Sequence, residues 1–199
     1  MAVLSRARAG TSERRREAER GFLSATEALL DEGSSYAELS VERIASRAGR
    51  PRTAFYLYFR DKRELLMRLT EDVTQVMYQD ADGWWSGTRG RGDIRPVSER
   101  MLHTWAEHAS LLGAVVEAST YDAEIGEFWR GVVERFIEAT ERRLVEEGED
   151  PGAAAAKAFV LSWMMAHACY QQAVRGKSLE DPAFTSALVE VLERSIYGS

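Results

Sequence analysis

The chain has 199 residues, 45% hydrophobic and 29% charged with only four prolines, a balance that excludes a disordered or fibrous protein and predicts a buried core. Its formal charge of −6, from 26 Lys+Arg against 32 Asp+Glu, taken whole argues against a nucleic-acid partner, whose phosphates demand cations. The average hides a split: residues 1–63 carry 13 Lys+Arg and 9 Asp+Glu, net +4, whereas residues 64–199 carry 13 and 23, net −10. Cys169 is the only cysteine, which rules out an intrachain disulfide and a cysteine-cluster zinc site and fits a reducing cytoplasm. The Met1–Arg6 stretch is too short in apolar residues for a signal peptide, and runs such as Ala153–Ala156 fall far short of the ~20 residues a membrane span needs, so a cytoplasmic protein with no membrane partner is expected.

The apolar periodicity is helical nearly throughout, and no alternating strand segment of useful length occurs, which predicts an all-α fold of about nine helices. After a polar, Arg-bearing tail over residues 1–12, Glu13–Glu32 reads as a first helix with Phe22, Ala25, Leu29 and Leu30 on one face and Gly33 as its stop. Ser40 is placed to cap a short second helix, Val41–Arg47, and Ala48-Gly49 makes a tight turn. Pro51 suits the first turn of a third helix that continues through Arg52–Phe59. A fourth opens at Asp61, with Leu65, Leu66, Leu69, Val73, Val76 and Met77 at helical spacing for about six turns. Gly87–Pro96 reads as an interhelical loop, since no strand precedes it to make it a phosphate cradle. Further helices follow at Val97–Leu112, Gly113–Thr120, Ala123–Glu147, Ala153–Arg175 and Pro182–Ile196.

Two short helices joined by a glycine-bearing turn, between a preceding and a longer following helix, form a helix-turn-helix over residues 40–59. The segment Leu39-Ser40-Val41-Glu42-Arg43-Ile44-Ala45-Ser46-Arg47-Ala48-Gly49, followed by Phe55-Tyr56-Leu57-Tyr58-Phe59-Arg60-Asp61-Lys62-Arg63-Glu64-Leu65-Leu66, resembles the N-terminal signature of the TetR family of transcriptional regulators. The resemblance implies a helix-turn-helix DNA-binding domain at residues 1–63 and a helical ligand-binding and dimerisation domain at residues 64–199. Glu127-Phe128-Trp129 and the closing Arg194-Ser195-Ile196-Tyr197-Gly198 are similar to the ethionamide-resistance repressor subgroup. Arg50-Pro51 stands where the family has an aliphatic-Ser pair, and Ala54 replaces its Thr, so the operator is not carried over from relatives.

The cations available for phosphate are Arg14, Arg15, Arg16, Arg43, Arg47, Arg50, Arg52 and Lys62; the Arg14–Arg16 cluster, interleaved with Glu13 and Glu17, reads equally as a solvated face. Arg52 and Lys62 sit at the family's contact positions. Asn and Gln, which pair bidentately with adenine, are absent from residues 1–63, so arginine to guanine is the available base contact. The resemblance implies that Tyr56, the first tyrosine of the motif, faces DNA, and the DNA-binding candidates are Ser40, Arg50, Arg52, Thr53, Tyr56, Tyr58 and Lys62, with Tyr58 open to a core role and Phe55 and Phe59 assigned to the core.

In the second domain the subgroup resemblance implies an apolar pocket lined by Met101, Trp105, Trp129, Val133, Phe136, Thr140, Ser162 and Met165, with a helical core as the alternative. Thr140 and Ser162 are its polar handles or else bond back within their own helices. No cation cluster for an acidic effector is evident, so a small, elongated, apolar effector is expected. The family's homodimer seam implies Phe159, Trp163, Tyr170, Phe184, Leu188 and Leu192 on the last two helices. Trp163 is assigned to the seam rather than the pocket. A dimer sets two recognition helices about 34–36 Å apart, so a roughly palindromic double-stranded DNA operator is expected. The expected function is a ligand-responsive regulator, most simply a repressor released by its effector. An enzyme is disfavoured: His103, His108 and His167 form no HExxH pair, no Walker or dinucleotide fingerprint is present, and neither catalytic residues nor a metal or other cofactor is expected. The remaining alternative is a helical small-molecule-binding or scaffolding protein without a DNA role.

Overall fold

A computed structural model describes residues 2–87 and 90–198, apart from the side chains of residues 1–12 and 14. Nine α-helices and one 3₁₀ turn make up the regular structure among the described residues: α1 (Ala2–Asp31), α2 (Val41–Arg47), α3 (Arg52–Phe55), α4 (Lys62–Trp85), α5 (Arg91–Glu107), α6 (Ala109–Ala118), α7 (Ala123–Glu146), α8 (Pro151–Val174) and α9 (Pro182–Tyr197). They form two compact units, Met1–Leu69 and Thr70–Ser199, with the division inside α4. Among the described residues no helix is long and apolar enough to cross a membrane.

The first unit is α1 to α3 and the start of α4. Phe22, at the centre of α1, is fully buried and meets Phe55 at 5.5 Å, Tyr58 at 5.8 Å and Phe59 at 6.3 Å between ring centroids. Leu29, Ile44, Ala45, Leu65 and Leu66 complete the apolar centre. The 3₁₀ turn Tyr36–Glu38 leads to Ser40, whose Oγ accepts from the Arg43 N–H at 3.2 Å and caps α2. The stop of α2 requires glycine: Gly49 takes φ 65, donating to Ser46 O while Arg50 N–H reaches Ala45 O, the two bonds of a left-handed helix end.

Three expectations for this unit are corrected. The segment read as a tail continues α1 back to Ala2, in keeping with its Ala, Leu and Arg content, all strong helix formers. The recognition helix α3 closes at Phe55, not Phe59: the next residues tighten into bonds from Leu57 N–H to Ala54 O and Tyr58 N–H to Phe55 O. Pro51 is the N-cap of α3, one position before the first turn. Asp61 opens α4, its Oδ1 accepting from the N–H groups of Arg63 at 2.9 Å and Glu64 at 3.0 Å. Burial alone would raise the Asp61 pKa, but the Glu64 N–H and the Arg63 side chain hold it below the ordinary carboxylate value.

In the second unit α7 packs along α8, α5 along α9, and α6 against both α7 and α8. Asp122, Asp150 and Asp181 cap α7, α8 and α9, and Pro151 and Pro182 hold the first turns of the last two. The expected Gly87–Pro96 loop is shorter than read: α5 starts at Arg91 and carries Pro96 inside its second turn, while Thr88 and Arg89 lie outside the described residues. The break between α5 and α6 falls at His108, not after Leu112. Val76, expected on the inward stripe of α4, is 49% exposed.

His103 ties α5 to the turn before α9. Its Nδ1 lies 2.9 Å from Glu180 Oε1 and its Nε2 3.5 Å from Glu107. The hydrogen bond to Glu180, with the charge of Glu107, raises its pKa above the ordinary histidine value. A raised folded pKa gives a contribution fully present below the free-histidine value of about 6.5 and lost as pH rises through the folded one. The melting-temperature difference between the wild type and His103→Gln is therefore expected to be largest near about pH 6 and to close by about pH 9; a constant difference would show the ion pair is silent.

Candidate DNA-reading surface and effector cavity

In the first unit, Arg52, Thr53 and Tyr56 are exposed side by side on α3 and the turn after it, and Arg50 stands half-buried before them. Arg52 donates to the Tyr56 hydroxyl at 3.2 Å, with its guanidinium 5.7 Å from that ring's centroid, so the two side chains present one surface. Leu57, which the sequence reading passed over, is 69% exposed beside Tyr56; its apolar side chain out of phase with Phe55 and Phe59 was the available signal. Tyr58 is half-buried against Phe22 and contributes to the core. Ser40 is exposed while capping α2.

Lys62 is otherwise placed than expected. Its ammonium donates to the carbonyls of Tyr36 at 2.9 Å, Ala37 at 3.1 Å and Leu39 at 2.9 Å, and sits 4.6 Å over the Tyr36 ring. An ammonium has three N–H donors, and all three are used to close the 3₁₀ turn. Burial lowers its pKa. Of the other cations, Arg47 makes two bonds to Glu32, at 2.6 and 3.0 Å, and Arg43 donates to Ser34 Oγ at 2.9 Å. Arg14 lies outside the described side chains, while Arg15 and Arg16 are exposed.

The second unit contains a cavity of about 110 Å³ whose wall brings together all eight residues expected of the pocket: Met101 and Trp105 from α5, Trp129, Val133, Phe136 and Thr140 from α7, and Ser162 and Met165 from α8. Thr74, Met77, Ala81, Trp84 and Trp85 of α4 also line it, as do Ile94, Val97 and Ser98 of α5. They lie outside the expected lining, since the sequence shows α4 only as an apolar stripe and places Ile94 in the Gly87–Pro96 loop. No charged side chain is in the wall. Trp85 Nε1 donates to Thr140 Oγ1 at 3.2 Å, so Thr140 bonds across to α4 rather than back within α7. Trp85, Tyr78 and Phe136 form a ring cluster with centroids 4.7 to 5.7 Å apart. The cavity approaches the ~150 Å³ of an apolar site that holds benzene, and Met101 and Met165 are the adaptable parts of its wall. Cys169 is buried, which pushes its thiol up to about 12 and leaves it unreactive.

Of the expected seam, Phe159 is 55% exposed on α8, and Trp163, Tyr170 and Phe184 are half-exposed. Val160 and Val174 of α8 and Val191 of α9 add exposed apolar surface at 59%, 63% and 44%. Leu188 is 6% exposed and packed within its own chain, and Leu192 is half-buried and lines the cavity. The apolar face of α9 is wide enough that periodicity does not tell which neighbour covers each residue.

The tetR-family model of bacterial regulatory proteins matches residues 22–69, and the model of the EthR transcriptional regulator's C-terminal domain matches residues 94–198. The HTH-type transcriptional regulator EthR of Mycolicibacterium smegmatis is 29% identical over 127 residues, 63% of this chain and 58% of that protein, so the chain matches less than two thirds of its relative's length. Among solved structures, a transcriptional regulator from Rhodococcus sp. Rha1 is similar at a TM-score of 0.74 and 15% identity, over 89% of this chain and 95% of that one. SmeT in complex with triclosan is similar at 0.71 and 21%, over 90% and 91%. FadR from Bacillus subtilis with stearoyl-CoA is similar at 0.69 and 17%, over 90% and 98%. At such identities these structures share the fold alone. One family model falls in the first unit and the other in the second, and the chain belongs to the TetR family of bacterial regulatory proteins, with an EthR-type C-terminal domain.

Proposed function

We propose that the protein is a homodimeric repressor that reads a roughly palindromic operator and is released when a small, uncharged, apolar effector enters the cavity of its second unit. The charge-free cavity walled by Trp85, Trp105, Trp129 and Phe136 is the observation that carries this reading, since a core without a ligand role closes such space. Support for repression comes from similarity in fold to SmeT, described as the repressor of the Stenotrophomonas maltophilia multidrug efflux pump. The DNA-binding part extends through residue 69, the rest serving the effector and the dimer. Arg52 and Arg50 read guanine, Thr53, Tyr56 and Ser40 contact the backbone, and Lys62 supports the surface from behind. The dimer forms through Phe159, Val160, Trp163 and Tyr170 of α8 with Phe184 and Val191 of α9. In this scheme the effector favours a population with α4 displaced, because α4 both lines the cavity and begins in the DNA-binding part.

Selection from a pool of random duplexes tests the DNA half of this reading. The wild type is expected to enrich an inverted repeat with guanine at the Arg52 contact. Arg52→Ala is expected to lose about 1–3 kcal/mol on the selected duplex and much less on unselected DNA. Equal loss on both would remove Arg52 from base reading, and no enrichment at all would favour a helical binding protein without a DNA role.

A further inference from the structure

The run Phe55-Tyr56-Leu57-Tyr58-Phe59 divides by burial: Phe55 and Phe59 are buried and Tyr58 is half-buried against Phe22, whereas Tyr56 is 49% and Leu57 69% exposed. Among the described side chains of the first unit, these two are the large apolar groups left in water. One exposed leucine on a surface is ordinary, but both of these fall on the strip that carries Arg52 and Thr53. The chain keeps turning past the end of α3, with Leu57 N–H bonded to Ala54 O at 3.2 Å and Tyr58 N–H to Phe55 O at 3.0 Å. Residues four apart therefore stay neighbours, which sets Tyr56 after Arg52 and Leu57 after Thr53 in two adjoining rows. Within the first row Arg52 donates to the Tyr56 hydroxyl at 3.2 Å. In the second, Leu57 has no hydrogen-bonding group and presents only methyls.

We propose, resting on the DNA-reading function above, that Leu57 is a specificity-determining residue that reads thymine, packing its methyl groups against the thymine C5-methyl in the major groove. An adenine–thymine pair shows two distinctive features there: the adenine N6 and N7 edge, which Asn or Gln matches bidentately, and the thymine methyl, which an apolar side chain matches. Residues 1–63 contain neither Asn nor Gln. Arginine serves guanine, and a Ser or Thr hydroxyl bonds to any base. Lys62 is committed to the carbonyls of Tyr36, Ala37 and Leu39, and Arg47 to Glu32. The methyl is thus the feature by which this surface distinguishes thymine, and Leu57 is the exposed aliphatic side chain beside the arginine. Contact with the methyl also takes apolar surface of Leu57 out of water, which a purely polar base edge does not.

Deoxyuridine lacks only that methyl group, so it removes the contact and leaves every hydrogen bond of the base pair in place. The duplex selected by the wild type is remade with deoxyuridine for thymidine at one symmetric pair of positions at a time. Dissociation constants are then measured by fluorescence anisotropy, at one salt concentration, for the full-chain wild type, Leu57→Ala and Thr53→Ser. The wild type is expected to prefer thymine about fourfold per half-site at one position, the worth of one buried methyl group. Leu57→Ala is expected to reduce that preference below about 1.5-fold, and Thr53→Ser to retain it. Because Leu57 is 69% exposed, Leu57→Ala keeps the fold, which an unchanged melting temperature verifies. A preference that survives Leu57→Ala, one that Thr53→Ser abolishes, or the absence of any position where deoxyuridine weakens binding overturns the thymine assignment while the DNA-reading function stands. Failure of the wild type to enrich any duplex overturns both.

Discussion

Replacing Phe22 by alanine is expected to cost about 3–5 kcal/mol and to abolish sequence-specific DNA binding. Phe22 has no exposed surface, and its ring is the piece against which Phe55, Tyr58 and Phe59 are stacked. Those three residues bracket Tyr56, so the cavity left by the missing ring lies directly beneath the DNA-reading turn. A unit the size of Met1–Leu69 has only about 3–10 kcal/mol of stability in all, so the loss removes much or all of it. Since every ring that Phe22 meets lies in that unit, hydrogen exchange is expected to show protection lost in α1 to α3 and kept in α7 and α8. A variant that still bound the selected duplex at wild-type affinity would show that the aromatic cluster does not hold the reading surface.

Phe159→Glu is expected to convert the dimer to a monomer and to weaken operator binding by more than any single phosphate contact. Phe159 is 55% exposed in the single chain, so a glutamate there faces water and the protomer keeps its fold. In a twofold seam each substitution occurs twice, and two carboxylates without partners would be buried together, at about 2 kcal/mol or more each. Sedimentation at micromolar concentration reads the assembly directly. An unchanged dimer would move the seam elsewhere than α8 and α9.

Residue chemistry explains which of these features were legible in the sequence. The bounds of α2 were readable because Ser40 caps it and Gly49 is the residue a left-handed stop demands. The end of α3 was not, since the Phe55–Phe59 spacing is satisfied by tight turns as well as by a helix. The break at His108 carries no glycine or proline to announce it. The cavity's α5, α7 and α8 walls follow from a family resemblance and helical spacing, whereas the part of α4 that carries Trp84 and Trp85 joins the wall through tertiary packing that composition does not show. Lys62 occupies a contact position in the signature, but only coordinates reveal that three carbonyls surround its ammonium. Leu188 and Leu192 have the spacing of a seam; what covers them is a tertiary fact.

The central claim is that occupancy of the cavity and affinity for DNA are one linked equilibrium. Its most direct measurement is a fluorescence-anisotropy titration of the selected duplex, with and without a neutral compound chosen by thermal shift against this chain. The compound is expected to weaken DNA binding at least about fivefold, and the duplex to weaken compound binding by the same factor, as linkage requires. Compounds that stabilise the wild type through the cavity, and lose that effect in a Val133→Trp variant that fills it, yet leave DNA affinity unchanged, would contradict the account.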